Sequence, residues 1–460
     1  MDRDCIAAIS TPYGEGGISL IRVSGENALA IADHVFKPLS KESSVTKLPS
    51  HSLTLGWVRN ASGEVIDQAL LGVMRAPRSY TGEDIVEFNC HGGLLLARTC
   101  LESLIQSGAR LAEPGEFTRR AYANGRLDAT QAEAVVELIR ARSERALELS
   151  VRNLRGMLSR AVDQVTEQLI ITNSRIEASI DFGDDVGDPP WDEIGTALKS
   201  ASQRIDALLA GGRRTRFYRD GASVVIAGKP NVGKSSLLNA LVRKDRAIVT
   251  EVPGTTRDVI EEYIAINGVP IRIKDTAGIR EGADQVEKIG IERAVQAIEE
   301  ADVVIFMLDA ESGITEEDQD VRSLLLSRPA LVLVNKLDIE NHRITTDDLD
   351  RMFPEHTVCW ISAQEEQGIQ SVEEGILELL FRESANPDGE DLMVNLRQET
   401  LLKQAGDHIQ AALDSIQAQM PMDCVAVDTW GAVESLEELT GRRIREDIID
   451  RIFKDFCIGK

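Results

Sequence analysis

The run Gly228-Lys229-Pro230-Asn231-Val232-Gly233-Lys234-Ser235 has the G-x-x-x-x-G-K-[ST] spacing of a phosphate-binding loop. An apolar stretch at 223–227 precedes it and a helical stretch at 236–241 follows, which is the strand–loop–helix context such a loop needs. Glycines let backbone N–H groups wrap phosphate oxygens, and a helix starting near Ser236 turns its positive dipole end toward them. Lys234 is placed to reach the β and γ phosphates, and the Ser235 hydroxyl to bind Mg²⁺.

Further segments narrow the nucleotide to GTP. Asp275-Thr276-Ala277-Gly278 closes the next apolar strand, where a metal-shell aspartate and a γ-phosphate-sensing glycine belong. Between these two segments lies Thr250-Glu251-Val252-Pro253-Gly254-Thr255-Thr256, with Thr256 read as the second Mg²⁺ ligand. Asn335-Lys336-Leu337-Asp338 closes a later strand. The Asp338 carboxylate accepts two hydrogen bonds from the guanine edge, and adenine lacks that donor pair. Ser362-Ala363 supplies a last contact to the base.

The catalytic apparatus departs from the common pattern. Many GTPases set a water-orienting Gln directly after the Asp-x-x-Gly glycine, but Ile279 stands there. No arginine declares itself as a charge-neutralising finger. By residue type Asn231 has two readings: an amide oxygen holding a monovalent cation against the phosphates, or a residue that stabilises its own turn. Glu287 in the stretch 281–291 is, by type, more often a solvated helix carboxylate than a catalytic one.

Three kinds of element must position these groups. Residues 222–384 alternate buried-strand candidates (223–227, 271–274, 303–308, 331–334 and 358–361) with helices, the pattern of a parallel sheet covered on both faces. This is an α/β phosphate-loop domain of Ras-like type. Residues 1–120 alternate short apolar stretches with glycine turns and read as a mixed α+β domain, with a helical pattern at 94–107. Residues 130–180 contain no proline and repeat apolar residues at helical spacing. Thr130 with Glu133 reads as a capping box at the start of that run. A second helix fills 191–217, and 391–456 returns to helix. The economical partition is an α+β domain at 1–120, a discontinuous helical bundle at 121–217 and 385–460, and a nucleotide domain inserted at 218–384.

Composition bounds the rest. At 460 residues the chain exceeds one ordinary core. Its net charge of −25 argues against nonspecific binding to nucleic acid, while leaving room for a local basic patch or a basic partner that holds RNA. The six cysteines have no zinc or redox-pair spacing, and no apolar run approaches a membrane span. The first residues lack a secretory layout, so the cytoplasm is the default compartment.

The motifs at 228–236, 254–258 and 275–280 resemble the tRNA-modification GTPase family MnmE (TrmE). So do Gly82-Glu83-Asp84, Glu113-Pro114-Gly115-Glu116-Phe117, Leu127-Asp128-Ala129-Thr130-Gln131-Ala132-Glu133-Ala134 and the terminal Phe456-Cys457-Ile458-Gly459-Lys460. The resemblance runs through the whole chain. It implies a cytoplasmic, K⁺-stimulated GTPase that works with the flavoprotein MnmG in a heterotetramer. The reaction adds an aminomethyl or carboxymethylaminomethyl group to C5 of the tRNA wobble uridine. The carbon comes from 5,10-methylenetetrahydrofolate, for which 5-formyltetrahydrofolate is an analogue. The N-terminal domain would bind the folate and form a homodimer.

Carried onto this sequence, the resemblance makes Asn231, Thr250, Val252 and Thr255 ligands of K⁺, standing where an arginine finger stands elsewhere. It makes Glu287 the base that orients water, Ser235 and Thr256 the Mg²⁺ ligands, and Cys457 a residue needed for modification. Arg22, Glu87 and Lys460 match folate contacts. Arg126 stands where the family has Lys, which keeps the charge but changes the donor geometry. By type alone Arg22 and Glu87 are ordinary strand residues. Two rival functions are a switch GTPase of ribosome assembly or signalling, and a stand-alone folate-dependent transferase with a regulatory GTPase insert.

Overall fold

A computed structural model of the protein describes residues 4–12, 14–39, 44–186, 189–244, 261–275, 295–325, 328–382, 391–454, 456, 458 and 459. Contacts divide the chain into two compact units. The first comprises Met1–Val136, Asn153–Ser202 and Gln404–Lys460, the second Glu137–Arg152 and Gln203–Lys403. The chain is multidomain: an α+β N-terminal module, helices that pack as a bundle, and an α/β phosphate-loop module.

In the first unit, β1 (Ile6–Ile9), β2 (Ile18–Ser24), β3 (Phe36–Pro38), β4 (Ser52–Arg59), β5 (Val65–Met74), β6 (Ile85–His91) and β7 (Arg110–Leu111) form one sheet. Its order is β3-β4-β5-β6-β2-β1-β7, antiparallel except at β1–β7. Helices α1 (Ala28–Val35) and α2 (Leu94–Gln106) cover one face, burying Ile21, Val23, Leu71, Val73, Val86 and Phe88 beneath them. Successive strand side chains point to opposite faces, so Arg22, between Ile21 and Val23, faces away from that core. Its partner in register on β6 is Glu87. Helix α3 (Glu116–Ala123) follows the Glu113-Pro114-Gly115 turn. Gly115 takes φ 70°, and a Cβ there would lie 2.7 Å from the Phe453 carbonyl oxygen, so the position excludes other residues.

The helical run expected at 130–180 divides into α4 (Ala129–Arg140), α5 (Glu144–Leu154) and α6 (Met157–Asp181). The division between α5 and α6 falls at Gly156, which adopts a left-handed φ of 77°. The capping box is displaced from the expected Thr130/Glu133 pair. Asp128 Oδ1 accepts from the Gln131 backbone N–H at 2.9 Å, and Gln131 Oε1 accepts from the Asp128 N–H at 3.0 Å. Thr130 instead donates its hydroxyl to Asp128 Oδ1 at 2.7 Å and lies 2.6 Å from the Ser159 hydroxyl. The box starts two residues earlier because Asp caps as well as Thr does and its register satisfies both backbone donors.

Helices α7 (Gly183–Val186) and α8 (Trp191–Asp220) follow. Leu158, Val162, Val165, Leu169 and Ile176 make the buried stripe of α6, at helical spacing.

The second unit is built on a six-stranded sheet of order β13-β12-β11-β8-β10-β9. Its strands are β8 (Ala222–Ala227), β9 (Glu261–Ile266), β10 (Val269–Asp275), β11 (Val303–Asp309), β12 (Ala330–Asn335) and β13 (Thr357–Trp360). Five strands are parallel, and the three central ones, β8, β11 and β12, are buried along their whole length on both faces. The sheet is not wholly parallel: β9 is an antiparallel edge strand joined to β10 by Asn267 (φ 46°) and Gly268 (φ 79°). That two-residue Asn-Gly turn suits the twist of a hairpin, a signal that the alternation of strands and helices overrode in the sequence reading.

Helices α9 (Lys234–Lys244), α10 (Glu316–Leu325), α11 (Thr346–Met352) and α12 (Ile369–Phe381) cover the sheet. The unit also takes in 137–152, 203–217 and 391–403, which the sequence partition groups with the helical domain. There Asp391 accepts from Arg145 at 3.0 Å and Arg214 at 2.9 Å, and Thr215 donates to the Leu392 carbonyl at 3.0 Å. The remaining helices are α13 (Leu396–Gln417), α14 (Met422–Thr440) and α15 (Glu446–Lys454). Helix α14 packs along α6, with Val425, Val433, Leu436 and Leu439 buried.

Candidate functional site

The phosphate loop leaves the C-terminal end of β8 and enters α9, so Lys234 is the first residue of the helix. Gly228 has φ 148°, and a Cβ there would lie 2.6 Å from the Met307 carbonyl oxygen. Gly233 has φ 100°, and a Cβ there would collide with Asn335 Nδ2. Both glycines are therefore required by close approach. Asn231 takes a left-handed φ of 63°, which Asn tolerates better than most residues, and its side chain is exposed. Lys234 is buried, and its ammonium donates to the carbonyls of Gly228 and Lys229, each at 2.9 Å. Val232 is fully buried, while Ser235 and Ser236 are exposed on the first turn of α9.

The residues expected to read guanine gather at the ends of β12 and β13. Asn335 Nδ2 donates to the Val232 carbonyl at 2.7 Å, and its Oδ1 accepts from the Ala363 backbone N–H at 2.9 Å. One buried amide thus joins the phosphate loop, the Asn-Lys-Leu-Asp loop and the Ser-Ala loop. Lys336 adopts φ 71°, and its ammonium lies 2.7 Å from Asp309 Oδ2 at the end of β11. Burial pushes Asp309 up, but hydrogen bonds from Lys336 and the Glu311 backbone outweigh it and hold the carboxyl below its ordinary range. Lys336 is raised by the bond to Asp309. Asp338 is exposed and accepts from the Ser362 hydroxyl at 2.5 Å, a bond that lowers its pKa and favours the ionised form.

Of the residues expected in this site, Thr250 to Thr256, Thr276 to Gly278 and Glu287 lie outside the described residues, as do Cys457 and Lys460. The backbone of Asp275 ends β10, beside Ile226 of β8.

A second cluster lies in the first unit. Arg22 and Glu87 face one another across the β2–β6 register, with Arg22 Nε donating to Glu87 Oε1 at 2.8 Å. The guanidinium sits 5.7 Å from the Tyr80 ring centre and 5.5 Å from that of Phe117. The Gly459 carbonyl accepts from the Ser10 hydroxyl at 3.0 Å and lies 3.5 Å from Arg22 Nη1. The C-terminal tail therefore reaches the Arg22–Glu87 pair. Arg126, exposed, donates to the Ser79 carbonyl at 3.0 Å, in the segment that carries Tyr80. Burial pushes the Tyr80 hydroxyl up, while its bond with Thr118 and the charge of Arg22 pull the other way.

Comparison with known proteins assigns the sequence around both clusters to one family. The family described as GTP-binding protein TrmE N-terminus matches residues 5–126, and MnmE helical domain matches residues 130–457. The tRNA modification GTPase MnmE of Syntrophomonas wolfei is 48% identical over 460 residues, 100% of each chain. That of Moorella thermoacetica is 44% identical over 462 residues, 99% of each. The chain belongs to the MnmE family of tRNA modification GTPases.

Within that MnmE frame, several functional neighbours escaped sequence reasoning. Lys229, inside the phosphate loop, is bound to Asp318 of α10 at 3.0 Å. Asp309 holds Lys336, and Tyr80 and Phe117 flank Arg22. No fixed spacing announces these pairs, because each joins elements brought together only by the sheet order. Among the described residues no helix is long and apolar enough to cross a membrane.

Proposed function

We propose that this MnmE-family GTPase is stimulated by K⁺ and acts as a cytoplasmic homodimer with the flavoprotein MnmG. The complex adds an aminomethyl or carboxymethylaminomethyl group at C5 of a tRNA wobble uridine, using tetrahydrofolate-borne carbon. The observation that carries the folate half is the Arg22–Glu87 pair, flanked by two aromatic rings and touched by the Gly459 carbonyl. Such a set fits a folate: rings offer a face for a planar heterocycle, Glu87 accepts from its N–H groups, and Arg22 pairs with a carboxylate. Arg126 and Lys460 complete the proposed contacts.

In the nucleotide module the chain's own groups have separable roles. Backbone N–H groups of the loop and the α9 N-terminus hold phosphate oxygens, Lys234 neutralises charge on them, and Asp338 selects guanine. The exposed Ser235 hydroxyl fits Mg²⁺, with Thr256 as its second ligand. The exposed Asn231 amide fits K⁺, with Thr250, Val252 and Thr255 beside it. These ions would supply positive charge against the phosphates. Glu287 would orient the attacking water, and Cys457 would serve the modification step.

The test is reconstitution. Unmodified tRNA is incubated with the protein, an MnmG flavoprotein, GTP, 5,10-methylenetetrahydrofolate and an amine donor, and its nucleosides are weighed by mass spectrometry. The wobble nucleoside should gain the added group only when protein, flavoprotein, folate and GTP are all present. GTP hydrolysis with unmodified tRNA would put the switch-GTPase reading ahead, and modification without flavoprotein would favour a stand-alone transferase.

A further inference from the structure

We propose that Lys229 and Asp318 form a positioning pair that holds the phosphate loop in register with the guanine-reading loop, acting on the nucleotide through Lys234. The Lys229 ammonium lies 3.0 Å from Asp318 Oδ2, 3.2 Å from the Gly313 carbonyl and 3.5 Å from the Thr315 hydroxyl. Asp318 is 1% exposed and the Lys229 side chain 11%. Asp318 Oδ2 also accepts from the Thr315 backbone N–H at 2.9 Å and its hydroxyl at 2.8 Å. Its Oδ1 is buried and has no hydrogen-bond partner among the described residues. Lys229 is the one cation paired with this buried carboxylate among the described residues, so substituting either partner leaves the other without its counter-charge.

The backbone of the same residue does different work. The Lys229 carbonyl, with that of Gly228, receives the Lys234 ammonium. Gly228 and Gly233 give the loop's unfolded backbone more conformations than other residues would. Anchoring the side chain of residue 229 restrains the loop, and so fixes the carbonyls that aim Lys234. The anchor belongs to the segment 309–318, whose first residue, Asp309, holds Lys336. One ten-residue connection therefore binds a lysine from each nucleotide loop. The geometry also commits the Lys229 ammonium to Asp318 and removes it from the set of phosphate ligands.

The inference rests on reading residues 228–235 as the phosphate loop, and Lys234→Ala tests that reading separately by loss of GDP binding. The full chain and Lys229→Met, Asp318→Asn, Lys229→Arg and the Lys229→Met/Asp318→Asn double variant are compared. Fluorescent GDP titration, steady-state kcat and KM, and Tm are read for each. Each neutralising single substitution should weaken GDP binding and lower kcat by about tenfold, with the double variant no worse than either, as coupled neighbours require. Lys229→Arg keeps the charge but changes the donor geometry, so it should lose less than Lys229→Met. If the single variants do not fold, the double variant carries the test, and wild-type affinity and kcat in it overturn the proposal. Singles that lose Tm alone, or effects that add, also overturn it. Tighter GDP binding by Asp318→Asn would make Lys229 a phosphate ligand instead.

Discussion

Asn335 donates its side-chain N–H to the Val232 carbonyl at 2.7 Å, so the Asn-Lys-Leu-Asp loop is bonded to the phosphate loop. The same amide accepts from the Ala363 N–H, and both groups it satisfies are buried. Asn335→Ala leaves two buried backbone groups unpaired, at roughly 1–3 kcal/mol each. GDP affinity measured by calorimetry should fall tenfold or more, and Tm should fall with it. An unchanged affinity would mean that the loops hold their places without the amide.

Asp338 is fixed by Ser362 in the ionised state, and an ionised carboxylate accepts the two donors of the guanine edge. Asp338→Asn replaces an acceptor by a donor. It should cost about 10- to 100-fold in GTP affinity, the discrimination of one bidentate pair, and shift preference toward xanthosine triphosphate. Competition between the two nucleotides measures it. Equal loss for both would place base recognition elsewhere.

The Asp309–Lys336 pair sets opposite pH limits. Asp309 lies below its ordinary value, so its contribution is present above about pH 3.9 and is lost as pH falls through the lower folded value. Lys336 lies above its ordinary value, so its contribution is present below about pH 10.4 and is lost as pH rises beyond the folded value. Asp309→Asn should therefore flatten the acid limb of a Tm-against-pH curve and Lys336→Met the alkaline limb. A slope change confined to neutral pH would contradict both assignments.

In the N-terminal module, Glu87→Gln and Arg22→Met each remove one half of a partly buried pair. Each should weaken 5-formyltetrahydrofolate binding by about tenfold, the scale for breaking a partly desolvated ion pair in a site. GDP affinity is the control and should hold. Folate binding that survives both substitutions would make the pair a strut of the sheet.

Legibility in the sequence followed locality. The phosphate loop, the Asn-Lys-Leu-Asp loop and five core strands were readable because each is a short run with its own period or spacing. Strand β9 was overlooked, although Asn267-Gly268 marks its turn, because an edge strand lacks the continuous apolar run of a buried one. Asp128/Gln131 and Thr130/Glu133 both have the spacing of a capping box, so the sequence alone does not choose between them. Only the geometry shows which side chain meets a backbone donor. Lys229–Asp318 was beyond reach: 89 positions separate the partners, and nothing in either residue's neighbours names the other.

Asn231 stands exposed in the phosphate loop at φ 63°, a geometry compatible with a turn-former and with a cation ligand. With Ile279 in place of a water-orienting Gln and no recognisable finger, hydrolysis needs another source of positive charge, and a finger is worth roughly 10³–10⁵ in rate. Steady-state GTP hydrolysis in KCl should therefore exceed that in NaCl at equal ionic strength by roughly 10²-fold or more, the lower end of what one placed donor supplies. Asn231→Ala should abolish the difference while retaining GDP affinity within a few-fold, since the loop's backbone N–H groups remain. Asn231→Gly, which also accepts the left-handed φ, separates the two readings. If Gly restores K⁺ stimulation that Ala lost, Asn231 shapes the turn. If neither responds to K⁺, its amide oxygen binds the ion. Equal rates in the two salts for the wild-type chain would leave guanine recognition standing and remove the cation from the mechanism.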